Sequence, residues 1–526
     1  MKSIPLLKEQ KYYTTILLCL IIFLAAFLRI YYLSTPSYSS DDVLAIKKIN
    51  EISAKYIVWE ALHKSRPMLF FISVHCWQLL AGSSEFALRL PSAIFGILSV
   101  FVIFKLASLI FDKKTALIGA LLLAVNPEHF FFSCSLKAYT LTTLLALTSL
   151  YLLLRALKGH RTILWIAFCI SNVMLLYTHN SAVFIVLTEL FFMAVVFYRK
   201  RKYPWLIYSA MGIIFTLLAV LFFAQKVHTE AFSKPEFIEP PTIGTFLNVL
   251  SSFVAGFYIM MPKRGIIFAD AIRFDNQGAY IEALSLPVRI SILTFFCILL
   301  LFGIYKYFWR QTTSDEPQPL IKSGASDRYK PLIYGWGAIP ILAAYASSFL
   351  FWPTFGPTRY HLFWSCLILL LIAKGISSTP DLIRGKLRFI CPIILIVICI
   401  HLFPIITAES NPRRLDWKGV ANYIEETASD GETVHFLFKE FASKPIKYYY
   451  KKDIYIGLNE VFKKITPNIG GNWSKGVFLI EVIEIGKSDL PPELIDFLGT
   501  LYYNKDVKQF HHIRVTHYWK PKFTLP

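Results

Sequence analysis

SYSSDDVLAI, residues 37–46, sets two carboxylates, Asp41 and Asp42, side by side just past the first long apolar run of the chain. Adjacent acids repel, so each raises the cost of ionising the other. Such a pair suits a proton acceptor, or a group held among cations. Cations occur at other points: Arg66 in HKSRP, Lys137 in SCSLKAYTL, and Arg359 in FGPTRYHLFW. Tyr139 follows Lys137, Tyr360 follows Arg359, and His179 lies in LLYTHNSAVF. Charge in or beside apolar segments is expensive, which makes each of these a candidate for function. Each also has a bland reading. Arg66 and Lys137 can be interfacial anchors, His179 a packing residue, the acids a solvated loop pair, and the tyrosines part of an aromatic belt.

The elements that must position these residues are membrane spans. Of 526 residues, 55% are hydrophobic and 17% charged, against roughly a quarter charged in a soluble protein. Mean hydropathy is +0.52. The apolar residues gather in runs of about 16–22, each long enough to span or nearly span a bilayer. About eleven spans are expected, at 14–33, 90–111, 115–132, 138–156, 162–178, 180–198, 204–223, 287–308, 331–352, 360–376 and 389–408. The run at 14–33 lacks a small-residue cleavage site and reads as a retained span. None of the eight cysteines has zinc or CxxC spacing, and seven lie in apolar segments. They read as small buried hydrophobes.

The net charge of +20 does not indicate nucleic acid. Much of it lies in turns between the runs: Lys113–Lys114, Lys158 and Arg161, Arg199–Lys202, the polar linker 311–330, and Arg384–Arg388. By the positive-inside rule these mark the cytoplasmic face. Residues 67–81 are apolar but short and interrupted by His75 and Gln78, and are expected to form an interfacial helix. The opposite face then receives the loop 34–89, the mouths around 133–139 and 178–180, a long segment 225–286 and the short turn 353–359. All the candidate residues fall on that face. The transmembrane domain is 1–408. The tail 409–526 reads as a small extracytoplasmic α/β domain: an amphipathic helix, an Asp-Gly turn, then strands in ETVHFLF, KDIYIGL and KGVFLIEVIEI.

Several segments resemble a family pattern: the stretch from RPMLFFISVHCWQLL to ALIGALLLAVNP (residues 66–127), SLKAY, LLYTHN, PTRY, and the DWKGVANYI that opens the tail. Together they resemble the bacterial membrane glycosyltransferases related to protein O-mannosyltransferases and to the lipid A aminoarabinose transferase. The resemblance implies the GT-C fold, a polytopic all-α membrane domain. It also implies a polyprenyl-phosphate-linked sugar donor and a lipid, glycan or protein acceptor, met at the outer face of a bacterial inner membrane.

Carried over residue by residue, the resemblance makes Asp41 the general base, with Asp42 beside it. Arg66, Lys137 and Arg359 serve the donor phosphate, and Tyr139, His179 and Tyr360 support the site. The chain departs from the pattern in having Asp42 for the usual Glu, Lys137 for Arg, Ser-Arg-Pro for His- or Lys-Pro-Pro, and Ser135 for an acid. These departures leave the donor sugar open, along with any divalent cation. A single base acting on a direct displacement implies inversion. A lipid-linked glycan ligase or polymerase, or a sugar-lipid transporter, would share the topology.

Overall fold

The computed structural model describes residues 3–34, 36–53, 55, 67–159, 161–199, 241–255, 286–308, 323–350, 355, 358–382, 390–407, 415–437, 443–456, 475–482, 492–510 and 513–521. The chain divides into two units. One comprises residues 1–33, 49–267 and 284–408; the other comprises 34–48, 268–283 and 409–526.

The first unit is helical. Helices Tyr12–Tyr31, Glu85–Ile110, Tyr139–Lys158, Pro287–Tyr307 and Leu362–Pro380 are long and apolar enough to cross a membrane. Lys113–Ala124 and Pro127–Ser133, bent by 58° at their junction, qualify as a sixth span if taken together. The shorter apolar helices Thr162–Leu176, Ala182–Met193, Ile243–Ala255 and Ile390–Leu402 accompany them. Of the eleven expected spans, 204–223 lies outside the described residues, 115–132 falls on two helices, and each of the others overlaps one α-helix. Side chains such as Phe23, Ile166, Leu301 and Ile400 stand open on the surface, as expected of helices that face lipid.

Three features depart from the sequence reading. The run 115–132 is broken, because Asn126 caps a new helix by accepting from His129 N–H at 2.9 Å, with Pro127 in its first turn. A helix forms at Ile243–Ala255 inside what reads as an outer segment. Residues 323–330, expected as linker, begin the helix Ser323–Leu350.

Small residues set the helix packing. A Cβ on Gly303 would overlap the carbonyl of Leu371, and one on Gly375 would overlap that of Leu299. The helices Leu286–Phe308 and Leu362–Leu382 therefore touch backbone to backbone, as membrane helices do where glycines meet.

The second unit holds a five-stranded sheet. Its strands are β1 (Glu432–Phe436), β2 (Tyr455–Ile456), β3 (Gly476–Val482), β4 (Tyr502–Phe510) and β5 (Ile513–Pro521), in the order β2-β1-β3-β5-β4. β1 runs parallel to β2 and β3, while β5 is antiparallel to β3 and β4. Alternation along β3 dresses both faces. Phe478 and Ile480 join Val420, Ile424 and Ile446 on one side, and Val477 and Leu479 join Leu494 and Leu498 on the other. Gly431 follows Asp430 into β1 with φ +92°, a conformation glycine adopts without strain. The expected helix, Asp-Gly turn and three strands are all present; β4 and β5 go beyond the sequence reading.

Candidate functional site

Asp41 and Asp42 do not lie in a loop. They occupy the first turn of helix Ser40–Asn50. Ser39 precedes it, and Asp42 Oδ2 accepts from Ser39 N–H at 3.0 Å and from Ser39 Oγ at 2.8 Å. In return Asp42 N–H donates to Ser39 Oγ at 3.2 Å. This is a reciprocal cap of the S-x-x-E type, with Asp in the acid's place. The first turn also presents N–H groups without intrahelical partners and the positive end of the helix dipole, which favour carboxylates. The helix end therefore favours adjacent acids here. Asp42 is buried and Asp41 half-buried, and it is Asp42 whose carboxylate closes the cap.

In the first unit the structure brings together three of the candidates. Tyr139, at the start of helix Tyr139–Gly159, has its ring centroid 5.4 Å from that of His179 and 6.3 Å from that of Tyr360. His179 and Tyr360 are 5.3 Å apart, and Phe132 closes edge-on to Tyr139 at 4.9 Å. Ser181 ties the cluster. Its hydroxyl donates to the Tyr360 carbonyl at 2.9 Å and sits 2.8 Å from His179 Nδ1, which also receives the Ser181 N–H at 3.2 Å. Sequence reasoning does not single out Ser181.

Lys137 is half-buried in the turn before Tyr139. Arg359 lies in the 3-10 turn Thr358–His361 with Tyr360. Arg66 lies outside the described residues. A helix is present at Leu69–Ala81, where the sequence reading expects an interfacial one, with Leu69 N–H bonded to the Tyr177 carbonyl at 3.0 Å, close in sequence to His179.

The helix Pro127–Ser133, which precedes the turn carrying Lys137, is anchored by Arg29, another residue that sequence reasoning passes over. Its guanidinium donates to Ser133 Oγ, to the carbonyls of Ala25, Ala124 and Leu123, and to His129 Nδ1, at 3.0–3.5 Å. Leu123 and Ala124 end a helix, where carbonyls lack intrahelical partners. The arginine thus caps one half of the broken span and holds the other. Glu128 reaches Ser252, and Asn126 Nδ2 reaches the Phe253 carbonyl at 2.8 Å, fixing the break to helix Ile243–Ala255. A second buried acid, Glu189, accepts from Ser149 Oγ at 2.5 Å and Trp336 Nε1 at 3.2 Å. An acid inside an apolar run is the signal that could have flagged it.

Among the described residues no group of three or more His, Cys, Asp or Glu could hold a metal ion.

Residues 64–223 match the model of the family described as dolichyl-phosphate-mannose-protein mannosyltransferase. Over that segment, which contains Arg66, Lys137, Tyr139 and His179, the chain is similar to that family. The resemblance to membrane glycosyltransferases read from the motifs stands. Among solved structures, the apo oligosaccharyltransferase of Archaeoglobus fulgidus is 13% identical (TM-score 0.49), covering 86% of this chain and 65% of that one. ArnT of Cupriavidus metallidurans in the apo state is 11% identical (TM-score 0.44), covering 95% and 97%. The same ArnT bound to undecaprenyl phosphate gives 12% and 0.40. The chain spans 62–65% of the length of the archaeal oligosaccharyltransferase chains. No curated protein matches the chain.

Proposed function

We propose that this chain is a multi-pass glycosyltransferase of a bacterial inner membrane, moving a sugar from a polyprenyl-phosphate donor to an acceptor hydroxyl at the extracytoplasmic face. The observation that carries the reading is the family match over 64–223. The half-buried carboxylate on a helix first turn, and the Tyr139–His179–Tyr360 cluster following Lys137 in the chain, support it.

In the proposed reaction the acceptor oxygen forms a bond to the anomeric carbon as the bond from that carbon to the phosphate oxygen breaks. Asp41 takes the acceptor proton, a contribution of about 10²–10⁴-fold for a base within hydrogen-bond reach. The leaving polyprenyl phosphate carries its charge to Arg66, Lys137 and Arg359, since positive groups held at such a site stabilise developing negative charge. The ring cluster offers apolar faces with polar edges, suited to a sugar's alternating C–H and O–H surface. One displacement inverts the anomeric centre. Any divalent ion would have to recruit ligands beyond the capped Asp42.

The purified full chain in detergent, given a polyprenyl-phosphate-sugar and an extract of envelope lipids and glycans, is expected to release polyprenyl phosphate and form a glycosylated product. Movement of intact donor across vesicles without cleavage would instead make it a carrier.

A further inference from the structure

The acidic helix follows closely on Ser34, the first residue of the second unit, and its approach is built into the C-terminal domain. Tyr38, fully buried, donates its backbone N–H to Tyr449 Oη at 2.7 Å, across 411 positions of sequence. Its ring meets Tyr448 edge-on at 5.3 Å and stacks on Tyr449 at 6.3 Å. Ser37 Oγ accepts the backbone N–H of Lys418 at 3.1 Å. That N–H belongs to the first turn of helix Trp417–Thr427, whose next amide, Gly419, is capped by Asp416 at 2.9 Å. Ser37 thus completes the cap of a helix in the tail. Lys418 Nζ reaches the Ser34 carbonyl at 2.9 Å and lies 6.0 Å over the Tyr449 ring. One residue beyond Tyr38 the Ser39–Asp42 box opens, leaving little slack before Asp41.

We infer that the C-terminal domain is the positioning device for the Asp41 carboxylate, with Tyr449 and Ser37 as its positioning residues. The inference rests on Asp41 being the base. It also gives the DWKGVANYI motif a role, because Asp416 and Lys418 present the helix end onto which the base-bearing segment docks. Misplacing a base by about 1 Å is enough to lose up to 10²-fold in rate, so a domain remote in sequence can govern turnover through the segment it holds.

The test uses the full-length protein and the donor-cleavage assay. Tyr449→Phe keeps the ring and removes the oxygen that accepts from Tyr38. It is expected to lower kcat by about tenfold, leave the donor KM unchanged, and add nothing to the loss already caused by Asp41→Asn. Ser37→Ala, which removes the acceptor of the Lys418 N–H, is expected to do the same and carries the test should Tyr449→Phe not fold. Wild-type kcat in both variants would overturn the inference. So would an equal proportional loss in the wild-type and Asp41→Asn backgrounds, since a merely structural contact lowers both. If Asp41→Asn itself keeps full activity, the base assignment falls instead, whatever Tyr449 does.

Discussion

Ser39 and Asp42 hold each other by three hydrogen bonds of 2.8–3.2 Å across the first turn of one helix. That reciprocity gives Asp42 a local partner in the helix cap, and makes the two adjacent acids separable by substitution. Asp42→Asn retains an oxygen that can accept from Ser39, and is expected to keep most of the transfer activity. Asp42→Ala and Ser39→Ala each lose the cap, at about 0.5–2 kcal/mol of local stability, and are expected to lower turnover with donor binding intact. Their double variant should lose less than the sum, because both act on one interaction. Equal collapse of Asp42→Asn and Asp41→Asn in kcat would show that Asp42 acts through its charge.

Ser181 makes a second discriminating target. Its hydroxyl lies against the imidazole of His179 and donates to the carbonyl of Tyr360, so Ser181→Ala removes the tie to Tyr360 and leaves the ring only its backbone N–H partner. A loss of about tenfold in kcat is expected, with a small change in melting temperature, since an ordinary hydrogen bond contributes about 0.5–1.5 kcal/mol. Unchanged kinetics would leave the ring cluster as packing alone.

Gly303 tests the bundle itself. Leucine at this position would drive its side chain into the Leu371 backbone, where no rotamer gives relief. Gly303→Leu is expected to prevent recovery of monodisperse protein in detergent, as judged by size exclusion. The neighbouring exposed Leu301→Ala should be silent, because lipid-facing apolar residues have few packing partners.

Much of this is legible in the residues. Apolar run length marks the helices, and the amphipathic 417–427 segment, Asp430-Gly431 and the β-branched runs mark half of the C-terminal domain. β4 escapes because YYNKDVKQF is an edge strand with one largely exposed flank, so it shows no apolar alternation. The break at 126–127 sits inside a continuous apolar run, and only the Asn-Pro pair betrays it. The capping box is visible as Ser39-x-x-Asp42, yet adjacent acids point to charge before they point to a helix start. Nothing local announces that residues 34–48 join the tail, because the bonds from Ser37 and Tyr38 cross the whole length of the membrane domain's sequence. Tyr139, His179 and Tyr360 are each ambiguous taken singly; their convergence is a tertiary fact, as is Ser181 between them.

That Asp41 is the base of a lipid-linked sugar transfer is tested most directly by comparing the wild-type chain with Asp41→Asn, purified side by side. The quantity to measure is polyprenyl phosphate released from a polyprenyl-phosphate-sugar in the presence of acceptor extract, with donor binding measured separately. Donor should be bound equally by both proteins, and release by the variant should be reduced by about 10²–10⁴-fold. Release at the wild-type rate by Asp41→Asn would contradict the assignment.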